Sequence, residues 1–536
     1  MIILKKIFYN GDFITLEKDN VEAIMIEDEV IKKVGSKRDV FVGDLEETEI
    51  VDLQGKTMMP AFLDAHSHFT GVANNLLQVD LGECINFEEI IDRLVSFKKD
   101  NHILDGVWII ACNYDHNNLK EKTHPRKEVL DKACPNNPVL LQHKSGHMGV
   151  LNSKALDILN IDFNTSDIEG GTIEKVNGEV TGYLEENAFI NYQMKVPMPS
   201  LEVLLGAYEK AQEIYLKNGI TTIQEGMTYP EMVPLYKALL NRNILKLDLV
   251  SYIDINSREL FFSNLHKHIK KYNKNFKIGG YKIFLDGSPQ GRTAWMREPY
   301  VGSHDYFGVS TMSDDALQKA IQIAYDDDLQ ILAHCNGDRA CEQYIKAISK
   351  NKKSNDIRPV MIHAQLLGLD QIKYLKSLNI IPSFFIAHTY YWGDTHIENF
   401  GYQRAKNISP VASVLKEGIR YTFHQDSPVI SPNMFETIWC AVSRKTKSGK
   451  QLNEDEKISV LDAIKGVTIN ASYQYFEEEK KGSIKEGKYA NLIIVDYNPL
   501  KVAIDDIKNI RVLETIKEGV TLFKVDISVS YTHLRA

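Results

Sequence analysis

The chain has 536 residues, 43% hydrophobic and 25% charged, the composition of a soluble globular protein with more chain than one compact core usually takes. Its net charge is −9 and it has no long basic cluster, which argues against nucleic acid or an anionic membrane as a partner. Six scattered cysteines without a Cys-x-x-Cys pair argue against a zinc ribbon or disulfide framework and for a reducing compartment. No apolar stretch approaches the roughly 18 residues of a membrane span, and no signal-peptide core follows the apolar start, so the expected location is the cytoplasm.

In chain order, residues 1–57 read as short antiparallel strands. Ile7-Phe8-Tyr9 runs into the turn dipeptide Asn10-Gly11, and Ala23–Ile26 and Val30–Gly35 follow. The next run, Met58 to Leu63, ends in Asp64-Ala65-His66-Ser67-His68. On a strand, residues i and i+2 share a face, so His66 and His68 can hold the same divalent ion.

Residues 83–200 are too long for one strand-to-strand connection and are expected to form an insertion with structure of its own, over the mouth of a barrel. Beyond and within it, candidate strands at 139–142, 220–224, 247–253, 280–285, 330–334, 359–363, 379–383 and 420–423 alternate with candidate helices at 201–217, 314–328, 338–350, 369–377 and 459–474. Such alternation implies a parallel sheet with crossover helices, as a barrel or an open doubly wound sheet. No Gly-x-Gly-x-x-Gly or Walker loop follows a strand, so nucleotide binding has no support. Strands near 492–496, 510–516 and 520–525 are too few to bury a core alone, and the economical arrangement packs them with residues 1–57. The last residues, Val529 to Ala536, fit no pattern of the chain and resemble a translated sequencing adapter.

Four further segments put a candidate metal ligand in or just beyond an apolar strand: Lys282 in Tyr281–Leu285, His334 after Leu329–Ala333, His363 after Val360–Ile362, and Asp426 after Tyr421–Phe423. Taken singly, each has a structural reading, as a hydrogen-bonded strand-end histidine, a turn aspartate or a solvated lysine. Taken in this order, at the strand ends that form the active-site face of a parallel barrel, they suit a one- or two-metal hydrolytic centre.

With these segments, Ser145-Gly146-His147, Asn152–Leu156, Thr181–Glu185, Gly337–Ala340, His363-Ala364-Gln365, Asp426-Ser427-Pro428 and Lys481–Leu492, the sequence resembles the amidohydrolase superfamily, and within it the YtcJ-like, metal-dependent branch, over roughly residues 5–525. It departs from the family's usual Ala-Asp-Leu at Asn491, in the terminal β-region and away from the chemistry. The resemblance implies an α/β fold, a (β/α)8 TIM barrel at 58–477 carrying the insertion, with a small composite β-sandwich made by 1–57 and 478–527, and a non-native tail at 528–536. It also implies Zn2+ or another divalent metal, one or two ions, with His66, His68, His334 and His363 as ligands and Lys282 and Asp426 completing the centre.

Beside such an ion the pKa of water falls from 15.7 toward about 7, and Asp426 is the expected shuttle carrying the water proton to the leaving nitrogen. The resemblance also implies that Lys282, in a role where related amidohydrolases carry a carboxylated lysine, becomes N6-carboxylysine and bridges two metals, and burial would favour the neutral amine this needs. Glu185 is the rival bridge, and a single ion the remaining case. His147, Glu185 and Arg292 are candidate contacts for a small-molecule substrate, Arg292 with a pair to Asp286 as its structural alternative. The expected reaction is hydrolysis of a non-peptide carbon–nitrogen bond in a small amide, N-acyl compound, formamide or cyclic amide. Deamination of a small heterocycle on the same centre and a non-catalytic binding or regulatory relative are the alternatives. A homo-oligomer is left open.

Overall fold

Eight short segments pair in chain order into one parallel sheet. In the computed structural model, which describes residues 5–43 and 45–526, they are Phe62–Leu63, Ile220–Thr228, Asp248–Asp254, Phe276–Phe284, Gln330–Cys335, Val360–His363, Ile381–Phe384 and Thr422–Phe423. Each neighbouring pair is parallel. Ile220–Thr228 is buried at every position although it carries Thr221, Thr222, Gln224 and Glu225, so burial on both faces leaves it no period of two. The helices between them are amphipathic. Asp338–Asn351 buries Ala340, Cys341, Tyr344, Ile345, Ala347 and Ile348, the three- and four-residue spacing of one helical face. Asp314–Asp326 starts at Ser313, whose side chain accepts from the Ala316 N–H and so satisfies one of the unpaired first-turn donors. The curled parallel sheet with its helices has the character of a TIM-like barrel.

Two expected elements differ. Val139–His143 does not join this sheet; it pairs with Ile109–Tyr114 and Met148–Leu151 in a separate one. The segment 459–474 is two helices, Val460–Gly466 and Ile469–Gln474. Thr468 leaves the helical conformation between them, and its hydroxyl bonds back to the Ile464 carbonyl at 2.6 Å, local competition that breaks a helix.

Strands from both ends of the chain share a sheet. Thr57–Pro60 lies antiparallel to Leu492–Val495, with Asp12–Phe13 on one side and Val512–Lys517 and Val520–Lys524 on the other. A four-stranded sheet of Val30–Gly35, Ala23–Glu27, Lys5–Tyr9 and Thr48–Asp52 accompanies it. Phe8, Ile24 and Ile31 from the first end and Ile484, Leu492 and Ile516 from the second form one apolar cluster, each such side chain contributing about 1.5–3 kcal/mol on burial. Asn491 accepts the Glu518 N–H at 2.8 Å, a bond an aspartate would also accept. Residues 528–536, expected to be a non-native tail, lie outside the described residues.

Gly71–Lys210 forms a second compact unit. Its six-stranded sheet has the order Gly171–Val176, Glu179–Glu186, Met148–Leu151, Val139–His143, Ile109–Tyr114, Gln78–Asp80. Apolar clusters that include Ile90, Leu94 and Leu130 in one case and Leu151, Leu156 and Phe189 in the other are its core. Among the described residues, no helix is long and apolar enough to cross a membrane.

Candidate metal centre

The C-terminal ends of the barrel strands bring together six of the residues singled out in the sequence. His66 and His68 follow the first strand. The His68 N–H donates to the Ser427 carbonyl at 2.7 Å, tying the chain after the first strand to the chain after the eighth. Asp426 Oδ1 then lies 3.4 Å from His66 Nε2 and 3.3 Å from His68 Nε2. Lys282 Nζ is 3.2 Å from His66 Nε2. His334 Nδ1 is 3.1 Å from His363 Nε2, which is 4.0 Å from Asp426 Oδ2. His363, Ala364 and Asp426 take positive φ of 73°, 47° and 54°, left-handed geometry that costs non-glycine residues about 1–3 kcal/mol each and gathers at functional sites.

Neighbouring groups fix the rings. Gln224 Oε1 accepts from His66 Nδ1 at 2.5 Å, and its amide donates to the Ala65 carbonyl and the Tyr475 hydroxyl. This sets the His66 tautomer with Nε2 turned toward the other donors. Gly226 leaves room for the ring, since a Cβ there would stand 2.5 Å from His66 Cε1. His334 Nε2 faces the Gly287 carbonyl at 3.1 Å, leaving Nδ1 toward His363. Asp286 holds the neighbouring loops through the backbone N–H groups of Trp295, Asn336 and Gly337.

Burial dominates the electrostatics. It pushes His334 down to about 4 and Lys282 down to about 8, so the imidazole is neutral at physiological pH and part of the amine population is unprotonated. Burial works against the Asp426 carboxylate, but the imidazoles of His68, His363 and His66 overcome it and hold the group well below its usual range. His68 is also opposed by burial, and Asp426 and Glu225 raise it to about 9.

Two participants were not foreseen. His424 Nε2 is 3.2 Å from His363 Nδ1, and its own Nδ1 meets the Ser383 hydroxyl at 2.9 Å. It stands two residues before Asp426, the same i, i+2 signal that marked His66 and His68. Glu225 Oε1 lies 3.8 Å from His68 Nδ1, while Oε2 accepts from the Thr70 N–H and the Tyr236 hydroxyl. Its signal was the polar pair Gln224-Glu225 inside a wholly buried strand.

Three expected substrate contacts have local partners. Arg292 donates to the Val301 carbonyl at 2.8 Å and packs over the Tyr300 ring. It does not pair with Asp286, whose carboxylate is already taken by backbone donors. His147 and Glu185 belong to the Gly71–Lys210 unit. There His147 is exposed and pairs with Glu186 at 3.1 Å, and Glu185 accepts from the Tyr183 hydroxyl at 3.0 Å.

The donors fit a divalent ion. They are imidazoles and carboxylate, the set that borderline ions such as zinc prefer. Asp426 Oδ1 is a buried charged oxygen without a well-formed hydrogen bond among the described residues, and His66, His68 and Asp426 present one ligand atom each within 4.8 Å of the others.

Residues 49–523 match a family model described as amidohydrolase family. The chain is 28% identical to putative amidohydrolase YtcJ of Bacillus subtilis, covering 97% of this chain and all of the relative. It is 25% identical to an N-substituted formamide deformylase of Arthrobacter pascens, covering 96% and 97%. An uncharacterized metal-dependent hydrolase of Pyrococcus furiosus shares the fold with a TM-score of 0.76 at 24% identity, over 93% of this chain and all of that one. The chain belongs to the amidohydrolase family, hydrolases of carbon–nitrogen bonds.

Proposed function

We propose that the enzyme hydrolyses a non-peptide carbon–nitrogen bond in a small N-acyl, formamide or cyclic amide substrate, with Asp426 as proton shuttle. The observation that carries this reading is Asp426 Oδ1, charged, buried and within 3.4 Å of both His66 and His68. A carboxylate so placed can take a proton from the attacking water and release it to the departing nitrogen. His66, His68, His334, His363, Lys282 and Asp426 would hold the metal. Bound there, a divalent ion supplies Lewis acidity to the substrate carbonyl and acidifies water.

Lys282 is the proposed bridge between two ions as N6-carboxylysine. Its unprotonated amine adds to carbon dioxide, forming an N–C bond and releasing one proton. Support comes from its burial and its 3.2 Å approach to His66. Lys282→Ala should lose one metal equivalent, and a short carboxylate such as propionate should restore part of the activity. A variant with unchanged metal content rules the bridge out.

For the substrate, His147, Glu185 and Arg292 are proposed contacts on the strength of the motifs they belong to. The terminal sheets, 1–57 with 478–527, are proposed as one composite β-sandwich domain, supported by the antiparallel pairing of Thr57–Pro60 with Leu492–Val495. A panel of N-formyl, N-acyl, cyclic imide and aminated heterocyclic compounds, assayed on zinc-loaded protein, tests the reaction class. Release of an amine with a carboxylate, or opening of the imide ring, supports it; turnover confined to ammonia release from the heterocycles contradicts it.

A further inference from the structure

A second group of ligating side chains lies within the Gly71–Lys210 unit and shares no residue with the barrel centre. Ile109–Tyr114 and Val139–His143 run parallel, with Tyr114 opposite His143. The two residues after the first of these strands, Asp115 and His116, therefore meet the last residue of the second. His116 Nδ1 is 3.3 Å from His143 Nε2, Asp115 Oδ1 is 3.8 Å from His143 Nε2, and Asp115 Oδ1 is 4.0 Å from His116 Nδ1.

We propose that Asp115, His116 and His143 form a second divalent-metal site, taking zinc or a comparable borderline ion. The circle through the three ligand atoms has a radius of about 2.2 Å, against zinc–ligand distances of ~2.0–2.2 Å. The spacings match those among the barrel donors, which run from 3.1 to 4.0 Å. The chemistry of the set, two imidazoles and a carboxylate, suits the same class of ion.

Surrounding groups orient these ligands as second partners do in metal sites. His143 Nδ1 meets the Ser145 hydroxyl at 2.9 Å, and Asp115 Oδ1 also accepts the Asn117 N–H at 2.9 Å. The His124 ring packs 4.0 Å from that of His116 and is itself held by the Tyr114 hydroxyl at 2.9 Å. The side chains of Asp115, His116 and His143 are 19%, 27% and 10% exposed, open enough for an ion to enter and for water to complete its coordination. The ion would tie the loop after Ile109–Tyr114 to the end of Val139–His143.

The test counts metal on the full-length protein. Wild type, Asp115→Asn, His116→Ala and the barrel variant His66→Ala are loaded with Zn2+, dialysed and measured for zinc per chain, with thermal unfolding to establish that each is folded. The two cluster variants should each hold one equivalent less than wild type, and His66→Ala should retain that equivalent. Equal zinc in wild type and His116→Ala overturns the proposal, whatever the barrel holds. Hydrogen exchange on the unaltered protein gives a readout independent of any variant. Zn2+ should slow exchange at residues 114–118 and 142–147, and unchanged exchange there overturns the site.

Discussion

The two ends of the barrel bury charge in opposite ways. At the N-terminal ends of the strands, Lys277 pairs with Glu477, Lys481 bridges Glu477 and Asp248, and Lys517 reaches Asp248 at 3.1 Å. Every one of these side chains is at most 8% exposed, and each charge has an opposite charge against it. At the C-terminal ends the donors face one another: imidazole against imidazole, and an amine against an imidazole. Buried polar groups left without partners are costly, so an array that converges on one point implies a ligand that satisfies them. The closed network is stability, and the open one is chemistry.

Four changes would break or sharpen this contrast. Stripping metal with a chelator should cost turnover about 10³-fold or more, with recovery on adding zinc. Assay and metal analysis on the same sample check it, and turnover that survives full demetallation would contradict the reading of the open end.

Glu477→Gln acts on the closed end. It leaves the Lys277 and Lys481 ammonium groups under-compensated and should destabilise the fold by about 3–5 kcal/mol without changing metal content. Denaturant unfolding beside metal analysis would separate the two effects.

Gln224→Leu removes the acceptor that orients His66 and should weaken metal affinity about 10–100-fold while the protein stays folded. Competition with a chromogenic chelator reads it.

The smallest effect is the acid limb of stability. Burial raises the Glu477 carboxyl, but Lys481 and Lys277 outweigh it and bring the group from 4.5 down to about 2. Below 4.5 the unfolded chain takes up a proton that the folded protein still refuses. The contribution is therefore complete above pH 4.5 and is lost as pH falls toward 2. Unfolding followed between pH 5 and 2 should show a shallower slope in Glu477→Gln than in wild type.

Much of the open end was legible in the sequence because nearly every candidate donor closes an apolar run. His66, His68, His334, His363 and Asp426 all stand just past or at the end of a strand, and Lys282 interrupts one. His424 shared the signal but was overshadowed by Asp426 two residues on, and Glu225 lies in a strand whose burial on both faces erases any alternation. The Arg292–Asp286 pair failed because backbone N–H groups, which no side-chain pattern reveals, had already taken the carboxylate. The Asp115–His116–His143 group was equally hidden. Its members are up to 28 residues apart in sequence, and only the parallel pairing of two strands in a separate sheet joins them.

The most direct test of the central claim is zinc-loaded Asp426→Asn, measured for both metal content and turnover on the best substrate of the panel. Asparagine keeps the size of the side chain and removes its ability to accept and return a proton. Loaded with zinc, the variant should keep metal on the remaining donors and lose turnover by about 10²–10⁴-fold. Full activity with metal bound would contradict the assignment of Asp426 as the proton shuttle.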